Sequence, residues 1–233
     1  MPLRSHISSL NTRILYAGIF VFFFALYLWS HIFNFFNRDP LYYSLQVETY
    51  SWAALFSDYH HLLYRPVGRL WFLIWQSLGY KDGAMFPLQA LSGLVGAATV
   101  VVFFGICLRL THSRRFALLA AAFAGFSYGL WRYSAEAYPH MFLLFFTSTA
   151  ALVLLRGVQE QAASTSEGPR RYSQIYAFAL AGAFTALGAL FYQTAVLFLF
   201  PALWLILRSQ RIARRRRVSA GLAFLLPCLL LLA

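Results

Sequence analysis

Charge is what this sequence has least of. Charged side chains make up 11% of the 233 residues, and only seven of them are acidic. A soluble domain of this length carries about a quarter of its residues as charged groups, so the scarcity argues against a soluble globular fold. Cysteine is nearly absent as well. Cys107 and Cys228 both lie inside apolar runs, where packing is the expected role and neither a disulfide framework nor a metal site is indicated. No small-residue cleavage pattern follows the first apolar block, Ile14–Phe36. That block is too long and bulky for a cleavable signal and reads as a retained anchor. Internal repeats are lacking too.

What the chain has is grease in blocks. Hydrophobic residues reach 61%, and the apolar stretches are separated by arginine clusters. About 20 apolar residues are needed to cross a bilayer core as a helix. The pattern predicts an all-α, polytopic transmembrane bundle of six to seven spans, forming a single transmembrane module over 1–233. Spans are expected at 14–36, 85–108, 116–131, 138–155, 174–191 and 194–208, with a seventh beginning near 218. The stretch 174–208 is too long for one upright helix, and its most polar point, Tyr192-Gln193, is the expected break. Segment 67–80 has the length of an interfacial or re-entrant helix. The final run, Val218–Ala233, stops without a basic or aromatic flank, so the chain reads as the N-terminal part of something longer.

Sidedness follows from the basic residues. With the N-terminus inside, fourteen of the nineteen fall on the inner segments and five, Arg38, Arg65, Arg69, Lys81 and Arg132, on the outer ones. The positive-inside rule therefore predicts a cytoplasmic N-terminus, in the inner membrane if the source is bacterial. The net charge of +12 is mostly this topology signal. Nucleic acid is excluded as a partner by the span pattern, and the Arg214–Arg217 run is expected to meet anionic lipid headgroups. The linker 157–173, including "QEQAASTSEGPRR", reads as a flexible cytoplasmic connector.

The outer loop 37–84 gathers the ionisable groups. In "NRDPLYYSLQVETYSW", Asp39 before Pro40 is a natural helix start, aspartate as N-cap and proline at the first helical position. Leu41, Leu45, Trp52 and Leu55 fall on one helical face, which predicts a helix along the membrane surface. Glu48 falls inside that stripe and needs a partner, a wet cleft or a proton. "FSDYHHLLYRPVGRLW" then adds Asp58, His60, His61, Arg65 and Arg69. Arginine grips phosphate oxygens bidentately, which suits a lipid phosphate at headgroup depth. A second outer loop, "GLWRYSAEAYPHM", adds Arg132, Glu136, Tyr138 and His140. Each residue also has a plainer reading. Asp39 is equally a cap, adjacent His60 and His61 make a poor two-ligand face, Arg65 and Arg69 can snorkel, and Glu136 can pair with Arg132 four residues earlier. Asp39, Glu48, Glu136 and a histidine could assemble an oxygen-rich divalent-metal site, though nothing in their spacing demands one.

Three stretches carry a resemblance: "NRDPLYYSL", "HHLLYRPVG" and "LWRYSAEAYPHMFLLFF", with "FYQTAVLFLFPAL" as a fourth. They are similar to parts of the GT-C superfamily of integral-membrane glycosyltransferases, in its protein O-mannosyltransferase-like and aminoarabinose-transferase-like branches. The resemblance implies transfer of a sugar from a polyprenyl-phosphate-linked donor to an acceptor on the periplasmic or lumenal face, with inversion. It implies Asp39 as general base and Glu136 as a second acidic residue that orients the acceptor or a metal. Arg65, Arg69 or Arg132 would neutralise the leaving phosphate, and His60, His61 and Glu48 would line the substrate site. This chain departs from the family in placing its aspartate before proline instead of after glycine, and in lacking the adjacent Asp-Glu pair. A different class of function, a transport, scaffold or lipid-phosphate-holding protein without covalent chemistry, is the alternative. Against transport, the ionisable residues cluster at one surface and not at mid-membrane.

Overall fold

The structure is a computed structural model that describes residues 3–31, 38–57, 60–163, 170–209, 212 and 214–232. It is all-α: no strand occurs among the described residues. The helices are α1 (Leu3–Trp29), α2 (Asp39–Thr49), α3 (Trp52–Leu55), α4 (Tyr64–Ser77), α5 (Met85–Thr111), α6 (Arg114–Gly125), α7 (Tyr128–Ala135), α8 (His140–Ala163), α9 (Arg170–Phe191), α10 (Leu199–Arg208) and α11 (Arg214–Leu232). A 3₁₀ helix, Gln193–Phe198, links α9 to α10.

Three of these helices are long and apolar enough to cross a membrane, through Thr12–Trp29, Met85–Thr111 and His140–Gln159. Shorter apolar helices cover Ile175–Phe191 and Gln193–Arg208. The expected single span over 116–131 is corrected. α6 ends at Gly125, the chain turns at Phe126 and Ser127, and α7 starts afresh at Tyr128. At ~1.5 Å per residue each piece alone is shorter than a bilayer core, so the expected continuous span is divided in two. The expected helix over 194–208 likewise opens as six residues of 3₁₀ before α10. The break at Tyr192 is where the sequence puts it, with Tyr192 in an extended conformation. Residues 32–36 of the first expected span, Asp58, and 164–169 of the linker lie outside the described residues.

The chain divides into two compact units. The first comprises Met1–Ser51 and Arg65–Met141, and α5 is its hub, touched by α1, α2, α6 and α7. Its core joins Ile19, Phe23 and Tyr27 of α1 to Ala97, Val100 and Phe104 of α5 and to Ala117 and Ala121 of α6. In a bilayer, lipid tails are as apolar as leucine, so helices associate through close packing at small residues and through hydrogen bonds. Both devices appear. A β-carbon on Gly96 would overlap the Ser134 hydroxyl, which is how α7 comes down onto α5. The Tyr27 hydroxyl, buried in the core, donates to the Gly125 carbonyl at 2.8 Å. His112, in the left-handed region, turns the chain out of α5, and Ser113 caps α6 by accepting from the Phe116 N–H.

The second unit comprises Trp52–Tyr64 and Phe142–Ala233. Its core gathers Ala150, Leu154 and Val158 of α8, Phe178 and Ala181 of α9, Ala202 and Ile206 of α10, and Ala220 and Phe224 of α11. Gly182 is the point of closest approach between α9 and α11: a β-carbon there would overlap the Phe224 carbonyl. The Cys228 thiol donates to the Gly182 carbonyl at 3.2 Å, so this cysteine is a packing residue, as its apolar run implies.

Candidate functional site

Asp39 is the first residue of α2 and not its N-cap. Arg38 occupies the cap position, without a side-chain cap bond, and Pro40 takes the first turn, where a missing N–H costs nothing. The Asp39 carboxylate turns instead to Tyr138, whose hydroxyl donates to Oδ2 at 2.5 Å across 99 residues of sequence. This contact joins the two loops that the sequence assigns to one face. Pro139 and the extended backbone at Glu136 separate α7 from α8, and that interruption is what lets Tyr138 leave the helical path.

Around Tyr138 the rings form a cluster. Tyr43 of α2 meets it edge-on at 6.0 Å, Tyr133 lies 5.6 Å away and His140 4.6 Å away. Tyr133 and His140 stack nearly parallel at 4.4 Å. From α5, the Ser92 hydroxyl accepts from the Tyr138 N–H at 3.3 Å. Tyr138 is thus fixed through both backbone and ring.

Glu136 is buried, with a side chain 3% exposed, and Arg132 donates to it at 2.5 Å from one turn earlier on α7. Burial pushes its carboxyl above the usual range, and Arg132 opposes that shift. Arg132 also donates to the Tyr128 hydroxyl at 3.0 Å. Arg132 forms part of the wall of an open pocket of about 320 Å³, lined by Ser30, Tyr128, Trp131 and Arg132. Trp131 is pinned there by its indole N–H, which donates to the Ser30 hydroxyl at 2.7 Å.

The other cations are placed differently. Arg69 donates to the carbonyls of Val47 and Glu48, at 2.7 Å for the latter, and so closes the C-terminal end of α2. Arg65 is only 2% exposed. Burial lowers its pKa, and the nearby Tyr42, Tyr43 and Tyr50 act in the opposite direction. Neither lines the Arg132 pocket. Glu48 is exposed and its Oε1 accepts the Ala84 N–H at 2.6 Å, at the N-terminus of α5, where a carboxylate is favoured by the helix dipole. The expected apolar stripe from Leu41 to Leu55 is corrected as well. α2 ends at Thr49, and Trp52 and Leu55 belong to a separate helix in the second unit.

No protein-family model, curated protein or solved structure matches this chain. The site therefore stands on its geometry. Among the described residues no three His, Cys, Asp or Glu side chains gather around one point. Asp39, Glu48 and Glu136 each face a different donor, so they do not form the oxygen-rich divalent-metal set that their types allowed.

His60 and His61 lie in the second unit, at the end of α9. The Gln193 amide donates to His60 Nδ1 at 2.8 Å, and His61 Nδ1 contacts the Phe191 carbonyl at 3.2 Å. His61 also stacks on Tyr192 at 5.1 Å, and the Leu63 N–H donates to the Leu190 carbonyl. The pair caps a helix end. Sequence reasoning gave Tyr138 no role, although its place in "EAYPH", just before a proline between two helices, was the available signal.

Proposed function

We propose that this chain is a membrane glycosyltransferase of the GT-C type, with six to seven membrane passages and a cytoplasmic N-terminus. It would act at the outer face, in the inner membrane of a bacterial source, on a polyprenyl-phosphate-linked sugar. The reading draws on the likeness in "NRDPLYYSL", "HHLLYRPVG" and "LWRYSAEAYPHMFLLFF". The observation that carries it is the Tyr138–Asp39 hydrogen bond. A carboxylate at a helix start is held by a hydroxyl from a second loop, while Arg132, next in sequence to the cluster's Tyr133, lines an open pocket.

In this reading Asp39 is the general base. It takes the proton of the acceptor hydroxyl or amine as that atom bonds to the sugar's anomeric carbon. The bond from that carbon to the phosphate oxygen breaks, and polyprenyl phosphate leaves with inversion. Tyr138 aims the carboxylate, and Arg132 sits beside the charge that develops on the leaving phosphate. A positioned base is worth about 10²–10⁴-fold in rate. Asp39→Asn is therefore expected to lower transfer by at least 100-fold, with membrane abundance and insertion unchanged. Transfer at the wild-type rate by that variant removes Asp39 from the chemistry.

A second reading is a protein that holds a lipid phosphate without turnover. It is favoured by the fact that both acidic residues are engaged, Asp39 by Tyr138 and Glu136 by Arg132. Stoichiometric binding of a polyprenyl-phosphate sugar that remains intact over long incubation with a range of acceptors identifies this case.

A further inference from the structure

The Arg132 pocket has an uncommon construction. The cation on its wall is already paired, and the pair's other member is out of reach of solvent. Glu136 is 3% exposed in its side chain against 17% for Arg132, and the 2.5 Å bridge joins them. The pocket itself touches Arg132 and not Glu136. An anion in the pocket lies beside Arg132, whose guanidinium the buried carboxylate already holds.

The chemistry of the walls selects the anion. Guanidinium binds phosphate oxygens in a fork. Tyr128, whose hydroxyl accepts from Arg132, and Trp131 complete a wall that is mostly apolar, which suits an apolar group behind the phosphate. A singly charged ligand offers Arg132 no more than Glu136 already does, whereas a phosphate monoester carries between one and two negative charges near neutral pH. It can draw the guanidinium outward. Glu136 is then a buried carboxylate without its cation, the situation that a carboxyl group resolves by taking up a proton.

We propose that the Arg132 pocket binds a phosphate monoester and that its occupancy moves a proton from water onto Glu136. The inference rests on the reading of this pocket as the lipid-phosphate site and adds a coupling to it. The balance is simple: one proton leaves bulk water and bonds to a Glu136 carboxylate oxygen, and Arg132 stays a cation and exchanges carboxylate for phosphate.

The surroundings leave Glu136 with few other controls. Among the helices packed on α7, α1 brings Tyr27, which donates to Gly125. α5 carries Cys107 and Arg109 and α6 carries Arg114 and Arg115, at the ends of those helices away from the Ser134 contact. On α7 itself are Tyr128, Arg132 and Tyr133, with Tyr138, Asp39 and His140 just beyond. Of all these, Arg132 alone acts on the Glu136 carboxyl against the effect of burial.

The sign follows. Burial already holds the free-state carboxyl above its ordinary value, and loss of Arg132 raises it further. Between those two values binding takes up a proton, so affinity rises as pH falls. The limit is about tenfold per pH unit for one proton. The test is calorimetry on the full chain in detergent, with farnesyl phosphate, inorganic phosphate and farnesol as probes, in two buffers of different ionisation enthalpy. Measurements run at about pH 7.5, where a monoester is mostly dianionic.

The expected result is net proton uptake on farnesyl phosphate binding by the wild-type protein, and none by Glu136→Gln. The same uptake with inorganic phosphate supports the proposal and points to free phosphate as a source, while uptake with farnesyl phosphate alone points to a lipid. Farnesol is expected to cause none. Farnesyl phosphate binding without proton uptake by the wild-type protein overturns the coupling and leaves the phosphate site standing. If neither phosphate probe binds, both fall. Absence of uptake by the wild-type protein overturns the coupling even where the variant fails to fold.

Discussion

Arg69, Arg65 and Arg132 are one residue type in three situations. Arg69 satisfies the last carbonyls of α2, where a cation also meets the negative end of the helix dipole. Arg65 is enclosed among tyrosines. Arg132 lines an open pocket. Arg69→Ala is therefore expected to cost about 1–3 kcal/mol of stability through lost charge-assisted hydrogen bonds, with farnesyl phosphate affinity unchanged. Parallel thermal unfolding and calorimetry check both halves. From sequence these arginines are equivalent, because residue type gives chemistry but not the neighbour it meets after folding. Asp39 and Glu136 were legible as the acids worth following. Their partners differ in this respect. Arg132 lies one helical turn before Glu136 and was readable, whereas Tyr138 lies 99 residues from Asp39, and one chain carries no signal for that pairing.

At the scale of elements, glycines decide how closely the helices approach. Gly182 faces backbone, which cannot rotate away, and Gly129 of α7 has open space where a β-carbon would stand. The same substitution then has opposite signs. Gly182→Ala is expected to destabilise by more than about 2 kcal/mol, as overpacking against a fixed neighbour does. Gly129→Ala should gain about 0.5–1 kcal/mol from helix propensity. Reversible unfolding in mixed micelles, read by circular dichroism, measures the difference. Long apolar helices such as α5 were legible from hydropathy alone, since lipid demands an uninterrupted run. The division of 116–131 was not. "GFSYG" carries only weak breaking signals, and it is the seating of Ser134 against Gly96 that gives α7 its separate course.

For the whole molecule, sidedness is the quantity on which the proposed chemistry depends. Nineteen basic residues lean to one set of segments, and that bias makes a direct forecast. In a background with Cys107 and Cys228 replaced by alanine, Asp82→Cys is expected to react with a membrane-impermeant maleimide on intact cells. His112→Cys should react only after the membrane is opened. The reverse pattern would place Asp39 and Tyr138 on the cytoplasmic side and remove the outer-face transferase.

The two histidines at the end of α9 are neighbours with opposite proton assignments. His60 Nδ1 accepts from the Gln193 NH2 group, which only donates, so its proton resides on Nε2. His61 Nδ1 faces a carbonyl, so its proton resides on Nδ1. The segment ahead of α4 is thereby tied to both sides of the break after α9, to Phe191 through His61 and to Gln193 through His60.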